Sequence, residues 1–348
     1  MSAKQVEAPG ANRHPRETLS LFGHRDAEMT LLNAYQSGRI PHAWLIGGAQ
    51  GIGKATLAYR MARFVLAHRD PRAADVLAAK TLELDRSHPV ARHVAAGAHG
   101  GLLTLERTLN DKGVMRTVIT VDETRETISF FGSTAAVEGW RVCIVDTVDE
   151  LNANAANALL KVLEEPPRQS LFLLVSHAPA RVLATIQSRC RKLRLRALDT
   201  AEVVQAASEA TGIAPSDPAL NEAAEASEGS VGRALTLMGG DQLKLIERTA
   251  ALLANLPSLD PRELHALSDS LGISDRAALA AFVDSVERWV SERLRQGASR
   301  GDASLPRLAQ LAEVWEKISR AARDTESYNL ERKPLVFSVF GMLAEATR

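Results

Sequence analysis

Residues 43–68 read AWLIGGAQGIGKATLAYRMARFVLAH, and their order decides the class of the amino-terminal part. A short apolar run, Ala43 to Ile46, meets a glycine-rich turn, and a helix is expected from about Lys54 to His68. The turn, Gly48-Ala49-Gln50-Gly51-Ile52-Gly53-Lys54-Ala55-Thr56, fits the G-x-x-x-x-G-K spacing of a phosphate-binding loop. Glycines let successive backbone N–H groups turn inward around phosphate oxygens. The following helix offers its positive end to the same anion, and Lys54 can reach the outer phosphates. Position 55 is alanine, where serine or threonine would supply the hydroxyl that binds Mg²⁺. Thr56 is a poor substitute, since one step along a helix rotates a side chain by about 100°. The plainer alternative is a glycine-rich strand-to-helix turn that binds nothing.

A phosphate loop needs a second strand that ends in acidic residues. Arg141 to Val145 (RVCIV) is a near-continuous apolar run, as in strands buried on both faces of a parallel sheet, and Asp146 at its end could hold magnesium through water. In ATPases of this build a glutamate directly after that aspartate orients the attacking water; here the position is Thr147. Asp149 and Glu150 are expected to point elsewhere and to complement a helix dipole. Two independent absences, hydroxyl and carboxylate, argue against efficient hydrolysis by this chain.

Outward from these two strands the pattern alternates. A helix carries Leu31, Leu32 and Tyr35; another carries Ala156, Leu159, Leu160 and Leu163 and is stopped by Pro166-Pro167. Further strands are expected over Leu171–Val175, near Lys192–Arg196 and over Val114–Val121. Further helices are expected from Asp122 or Thr124 to Phe131 and over about Ala180–Ile186. Residues 70–115, broken by Asp70-Pro71, Ser87-His88-Pro89 and Gly97–Gly101, read as partly loop. Strands alternating with helices up to about residue 197 mean an α/β fold with a parallel sheet. From about Asp199 the strand signals vanish and a helical array follows. One stripe there runs through Phe282, Val286, Trp289, Val290 and Leu294; another runs through Leu308, Leu311, Trp315, Ile318 and Ala322. Both read as core or helix–helix contact. Residues 1–18 read as a loose tail.

Composition narrows the function. Lys+Arg and Asp+Glu both number 42, so the 348-residue chain is formally neutral and lacks the whole-surface basic charge of an independent nucleic-acid trap. Aromatic residues are 4%, too few for single-strand stacking platforms. Two cysteines, Cys143 and Cys190, exclude a disulfide framework and a cysteine-rich zinc module. No run of 18 apolar residues and no leader is evident, so a cytoplasmic protein without membrane contact is expected.

The run DTVDELNANAANALLKVLEEPP (146–167), followed by LFLLVSHAPARVLATIQSRCRKLRLRAL (171–198), resembles the AAA+ clamp-loader subunits of bacterial replication. LFGHRDAEMTLLNAYQSGRIPHAWLIGG (21–48) and NLERKPLVFSVFGMLAEA (329–346) extend the resemblance over nearly all of the chain after residue 18. It implies an AAA+ RecA-like core over 19–197, a helical lid over 198–245 and a helical collar over 246–348 that joins subunits. It implies a component of a DNA polymerase III holoenzyme, a DNA-directed DNA polymerase and hence a nucleotidyltransferase assembly, that helps load the sliding clamp onto primed DNA. The partners implied are motor subunits of gamma/tau type and a delta subunit, with primer–template DNA and clamp met only through the assembled complex. The resemblance further implies a stator without catalysis of its own. Its Ser188-Arg189-Cys190 motif supplies Arg189 as an arginine finger to a neighbour's ATP, where such a finger raises turnover by ~10³–10⁵. Without the resemblance, Arg189 reads as a surface arginine paired with a local carboxylate.

Three departures from the family pattern bear on the site. Where relatives carry a four-cysteine zinc module, this chain has His88, His93 and His99 and no cysteine, so no zinc is expected. A lid arginine that senses the γ-phosphate would fall at Gly232, with Arg233 shifted by one. Ser176 or His177 stands where active relatives place a polar sensor, His177 reading more as a loop residue. The expected nucleotide site is therefore degenerate, comprising Gly48, Gly51, Gly53, Lys54, Thr56 and Asp146, with weak or absent ATP binding and no required cofactor. Two other classes stay open: a P-loop ATPase that hydrolyses ATP itself, and a direct DNA-binding module.

Overall fold

The computed structural model describes residues 14–108, 116, 118–132, 139–238, 241–271, 276–298, 305–327 and 330–347. The chain divides into two compact units, Met1–Leu235 and Thr236–Arg348. The first holds residues 19–197, expected as the core, and residues 198–235 of the expected lid; residues 236–245 of that lid fall in the second.

The first unit is built on five parallel strands: β1 (Ala43–Gly47), β2 (Leu102–Glu106), β3 (Arg141–Asp146), β4 (Ser170–Ser176) and β5 (Arg191–Arg194), in the order β2-β3-β4-β1-β5. This is the expected α/β fold with a parallel sheet, and the strand that precedes the glycine loop lies inside it. β1 pairs with β4 from Ala43↔Phe172 to Gly47↔Ser176, and β3 with β4 from Arg141↔Ser170 to Asp146↔Val175. Period-2 alternation sends Trp44, Ile46, Val142, Ile144, Leu171 and Leu173 to one face. Leu45, Cys143, Val145, Phe172 and Leu174 go to the other. Both faces are covered, so the central strands are apolar throughout.

Helices α1 (Arg25–Gln36) and α2 (Lys54–Ala67) fill the first face with Leu31, Leu32, Tyr35, Leu57, Met61, Phe64 and Val65. α3 (Ala74–Ala78) and α4 (Pro89–Ala95) are short helices in the stretch expected to be partly loop. α5 (Val121–Gly132) and α6 (Ala153–Glu164) cover the second face, α6 through Ala156, Leu159, Val162 and Leu163. α7 (Ala184–Gln187) leads into β5, and α8 (Thr200–Thr211), α9 (Pro218–Ala226) and α10 (Val231–Leu237) follow it.

Several expectations are corrected. β2 lies in a segment assigned to loop; it is an edge strand in which only Leu105 is buried, so its apolar pattern is weak. Of the strand expected over 114–121, residues 114, 115 and 117 lie outside the described residues; Ile119 forms a single bridge to Leu151, and a helix begins at Val121. That helix is capped by Thr120 rather than Asp122 or Thr124. The Glu123 carboxylate accepts from the Thr120 N–H at 2.6 Å, and the Thr120 hydroxyl accepts from the Glu123 N–H at 3.5 Å. The helix expected over 180–186 is a 3₁₀ turn at Pro179–Arg181, an extended break at Val182 and Leu183, and then α7. Residues 14–18 do not hang loose. Pro15–Glu17 is a 3₁₀ turn, and the buried Arg63 donates to the carbonyls of Arg16 at 3.0 Å and Thr18 at 2.7 Å. Residues 1–13 lie outside the described residues.

The second unit is helical: α11 (Asp241–Ala254), α12 (Pro261–Ser270), α13 (Arg276–Ala298), α14 (Leu305–Ser327) and α15 (Arg332–Thr347). Both expected stripes serve as packing. Phe282, Val286 and Val290 are buried with Leu311, Ile318 and Ala322 against Val336, Val339 and Phe340 of α15, while Trp289, Leu294 and Trp315 pack at the margin. Among the described residues, no helix is long and apolar enough to cross a membrane.

Candidate functional site

In an open parallel sheet, ligands bind beyond the carboxyl ends of the strands. A cavity of about 520 Å³ lies there in the first unit. One end is lined by Gln50–Thr56 of the phosphate loop together with Asp146 and His177. The lining also includes the apolar Leu19, Phe22, Leu198, Ala206, Ala210 and Leu235, with Glu17, Arg86 and Glu209 among the charged residues. Of the expected nucleotide residues, Gly51, Gly53, Lys54, Thr56 and Asp146 meet in this cavity, and Gly48 contributes a carbonyl behind it.

The loop takes the conformation its glycines permit. Gly51 has φ +74° and Gly53 φ +96°, left-handed values that side chains avoid. His24, buried beneath the loop, donates its Nε2–H to the Ile52 carbonyl at 2.7 Å, and burial lowers its pKa. This support was not found in the sequence; a lone histidine 28 residues upstream has no spacing to betray it.

Lys54 opens α2 and is 2% exposed. Its ammonium donates to the Gly48 carbonyl at 2.9 Å and the Ala49 carbonyl at 2.5 Å. Burial pulls its pKa down to about 8, against the opposing attraction of Asp146 and Asp149. The carboxyl of Asp146 is pushed up, first by burial and then by Glu106, its register partner on β2, and Lys54 opposes the shift. Glu106 itself accepts from His14 Nε2 at 3.2 Å, which holds its carboxyl down.

Thr147 directly follows Asp146, at the position where the ATPase pattern asks for a carboxylate. It is 4% exposed, and among the described residues its hydroxyl has no hydrogen-bond partner. Asp149 is not among the residues that line the cavity. Its carboxylate accepts from the Ser176 hydroxyl at 2.8 Å and from the His177 N–H at 2.5 Å, at the end of β4 beside the site. A 3₁₀ turn over Val148–Glu150 swings it back toward the sheet. Glu150 pairs with Arg107 at 3.0 Å.

The first turn of α10 and Ser230 before it close directly on the loop. Gly232 donates its N–H to the Gly51 carbonyl at 3.1 Å, and a Cβ on Gly51 would meet Ser230 Oγ at 2.3 Å. Arg233 pairs with Glu228 at 3.8 Å. Position 232, where a lid arginine would stand, thus offers a backbone contact to the loop.

Arg189 is not among the residues lining the cavity. It follows α7 at the surface, one third exposed, and donates from Nη2 to Glu164 at 2.7 Å. Cys190 beside it is buried, and burial pushes its thiol up to about 11, which leaves it unreactive. His88 caps α4 by accepting from the Val90 N–H, and His99 accepts from the Gly101 N–H. Among the described residues, no group of three or more His, Cys, Asp or Glu is placed to hold a metal.

A polyphosphate suits this cavity. The loop cradle at Gly51 and Gly53 admits no side chain, and a buried ammonium waits for a counter-charge. A phosphate-bound magnesium does not suit it, because the alanine at position 55 has no ligand atom.

Comparison with known proteins agrees with this geometry. The family described as "DNA polymerase III, delta subunit" matches residues 23–199, just over half of the chain. The chain is 38% identical to the DNA polymerase III subunit delta' of Pseudomonas aeruginosa over 149 residues, 43% of this chain and 41% of that one. It is 33% identical to the subunit delta' of Escherichia coli over 237 residues, 66% of this chain and 64% of that one. With the subunit tau/gamma of Haemophilus influenzae it shares 27% identity over 79% of this chain and 39% of that one. The chain thus spans less than two thirds of the length of each of these relatives. By the extent of the match, and by a phosphate loop set on the first of five parallel strands, the chain belongs to the DNA polymerase III delta subunit family, with delta-prime subunits among its relatives.

Proposed function

We propose that this chain is the delta-prime stator of a bacterial DNA polymerase III clamp loader and helps to load the sliding clamp onto primed DNA. It assembles with motor ATPase subunits of gamma/tau type and a delta subunit in the cytoplasm. It meets DNA and clamp only within that assembly. The parts are a core (19–197), a lid (198–245) and a collar (246–348) that joins subunits.

The observation that carries catalytic silence is Thr147, a buried hydroxyl, unpartnered among the described residues, where hydrolysis needs an ionised carboxylate. Ala55 removes the magnesium ligand on the opposite side. Gly51, Gly53 and Lys54 would hold the phosphates of a nucleotide that binds weakly, as a structural ligand. Arg189 acts in trans: a guanidinium fixed at the subunit surface stabilises the negative charge that develops on a neighbour's transferring phosphoryl group.

The test is Arg189→Ala in the reconstituted loader. The variant chain folds and assembles, while DNA-stimulated ATP turnover falls by on the order of 10³-fold at the site it completes. Undiminished turnover refutes the trans role. A Lys54-dependent ATPase of the purified chain above about one per minute refutes silence, since unassisted P-loop hydrolases run on the order of 10⁻² per second or slower.

A further inference from the structure

We propose that Glu164 is a positioning residue for Arg189: it sets the guanidinium in place before a neighbouring subunit docks. The role presupposes that Arg189 acts in trans, as proposed above.

Glu164 is the last residue of α6, directly before Glu165 and the Pro166-Pro167 stop. Arg189 lies 25 residues on, between α7 and β5. Both backbones are anchored in one apolar cluster. Val162 and Leu163 enter it from the α6 side, and Ile186 and Cys190 from the α7 side. The two side chains therefore meet from fixed bases, unlike an ion pair between flexible loops.

The hydrogen bonds constrain the guanidinium itself. Nη1 donates to the Thr185 carbonyl at 2.8 Å and to the Ser188 hydroxyl at 3.3 Å, and Nη2 donates to Glu164 Oε1 at 2.7 Å. A guanidinium has five N–H donors. These three bonds leave two donors, Nε–H and one Nη2–H, for oxygens of a phosphate. One third of the side chain is exposed, so the arginine lies at the surface where a neighbouring subunit can dock. Without Glu164 only the Nη1 wing is held, by weaker neutral acceptors. Freezing a loose arginine at the moment of reaction then costs on the order of tenfold in rate.

A carboxylate could instead act as a competing latch that the neighbour's phosphate must displace, and the two roles differ in sign. The experiment measures steady-state ATP turnover of the assembled loader on primed DNA. It compares the unaltered chain with Glu164→Ala, Glu164→Gln, Arg189→Ala and the Glu164→Ala/Arg189→Ala double variant. Glu164→Ala is expected to lower kcat roughly five- to thirtyfold, with KM for ATP held within about twofold. Glu164→Gln, which keeps the acceptor oxygen, is expected to recover most of that loss. In the Arg189→Ala background, Glu164→Ala is expected to add nothing. Since half of the Glu164 side chain is exposed, the thermal midpoint of the isolated chain should stay within about 2 °C. Turnover that is unchanged or faster in Glu164→Ala overturns the positioning role, as does a Gln variant no better than Ala or an additive loss in the double variant. If Arg189→Ala slows the loader and Glu164→Ala does not, this inference fails alone. If Arg189→Ala has no effect, the trans role fails with it.

Discussion

Replacing Lys54 with methionine should stabilise the chain at neutral pH. The ammonium is 2% exposed and its pKa falls to about 8, from 10.5 for a solvated lysine. One pKa unit is about 1.4 kcal/mol, so carrying this charge at pH 7 costs the folded state about 3 kcal/mol. Methionine removes the charge and leaves the carbonyls of Gly48 and Ala49 without their donor. Those residues are half-exposed and exposed, so water replaces the lysine and the loss is about 1 kcal/mol. The net gain is about 2 kcal/mol, or roughly 4–8 °C in the melting of a unit this size. The pH dependence has a definite sign. The unfolded chain keeps the Lys54 proton up to about 10.5, whereas the folded chain releases it near 8. The wild-type deficit is therefore full below pH 8 and fades as pH rises from 8 to 10.5. Urea unfolding of both proteins at pH 7 and pH 10 measures the gap, which should narrow at the higher pH. A variant no more stable than wild type at pH 7, or a gap independent of pH, would refute the claim that burial of this charge costs the fold more than its partners return. The same charge gives the loop its affinity for phosphate, since a bound anion supplies what the fold withholds.

Two further substitutions probe the site from other sides. Asp149→Ala removes the acceptor shared by the Ser176 hydroxyl and the His177 N–H, and should lower stability by about 1.5–3 kcal/mol in urea unfolding, with Asp149→Asn recovering part; a change below 0.5 kcal/mol on that order would mean the bonds are idle. Gly51→Val forces a branched side chain to φ +74° and drives its Cβ against Ser230 Oγ, so a loss of about 2–4 kcal/mol is expected. A neutral outcome would mean that the segment at Ser230–Gly232 does not rest on the loop.

The elements visible in the chain were those whose signal is local. β1, β3 and β4 announce themselves because a strand covered on both faces must be apolar at nearly every position. α2 follows from the glycine loop and α6 from its period and the Pro166-Pro167 stop. β2 escaped because an edge strand buries one side chain fully and pairs on one side only. Residues 14–18 escaped because Arg63, 45 to 47 positions away, holds them through backbone carbonyls, which leave no mark in side-chain type.

The candidate site divides along the same line. The loop glycines, Lys54, Ala55, Asp146 and Thr147 can be read one by one, because each stands at a set distance from a strand end. Residue identity and short spacing were enough for the fold class and for the phosphate-loop pattern with alanine at position 55 and threonine at position 147. Folding alone determined that Lys54 turns onto its own loop, that Asp149 swings back to Ser176, that His24 props Ile52 and that Glu164 grips Arg189. Those four contacts join residues up to 28 positions apart, brought together by the packing of the sheet and its covering helices. Burial then sets their charge and hydrogen bonding, and burial belongs to the folded whole rather than to any stretch of the chain.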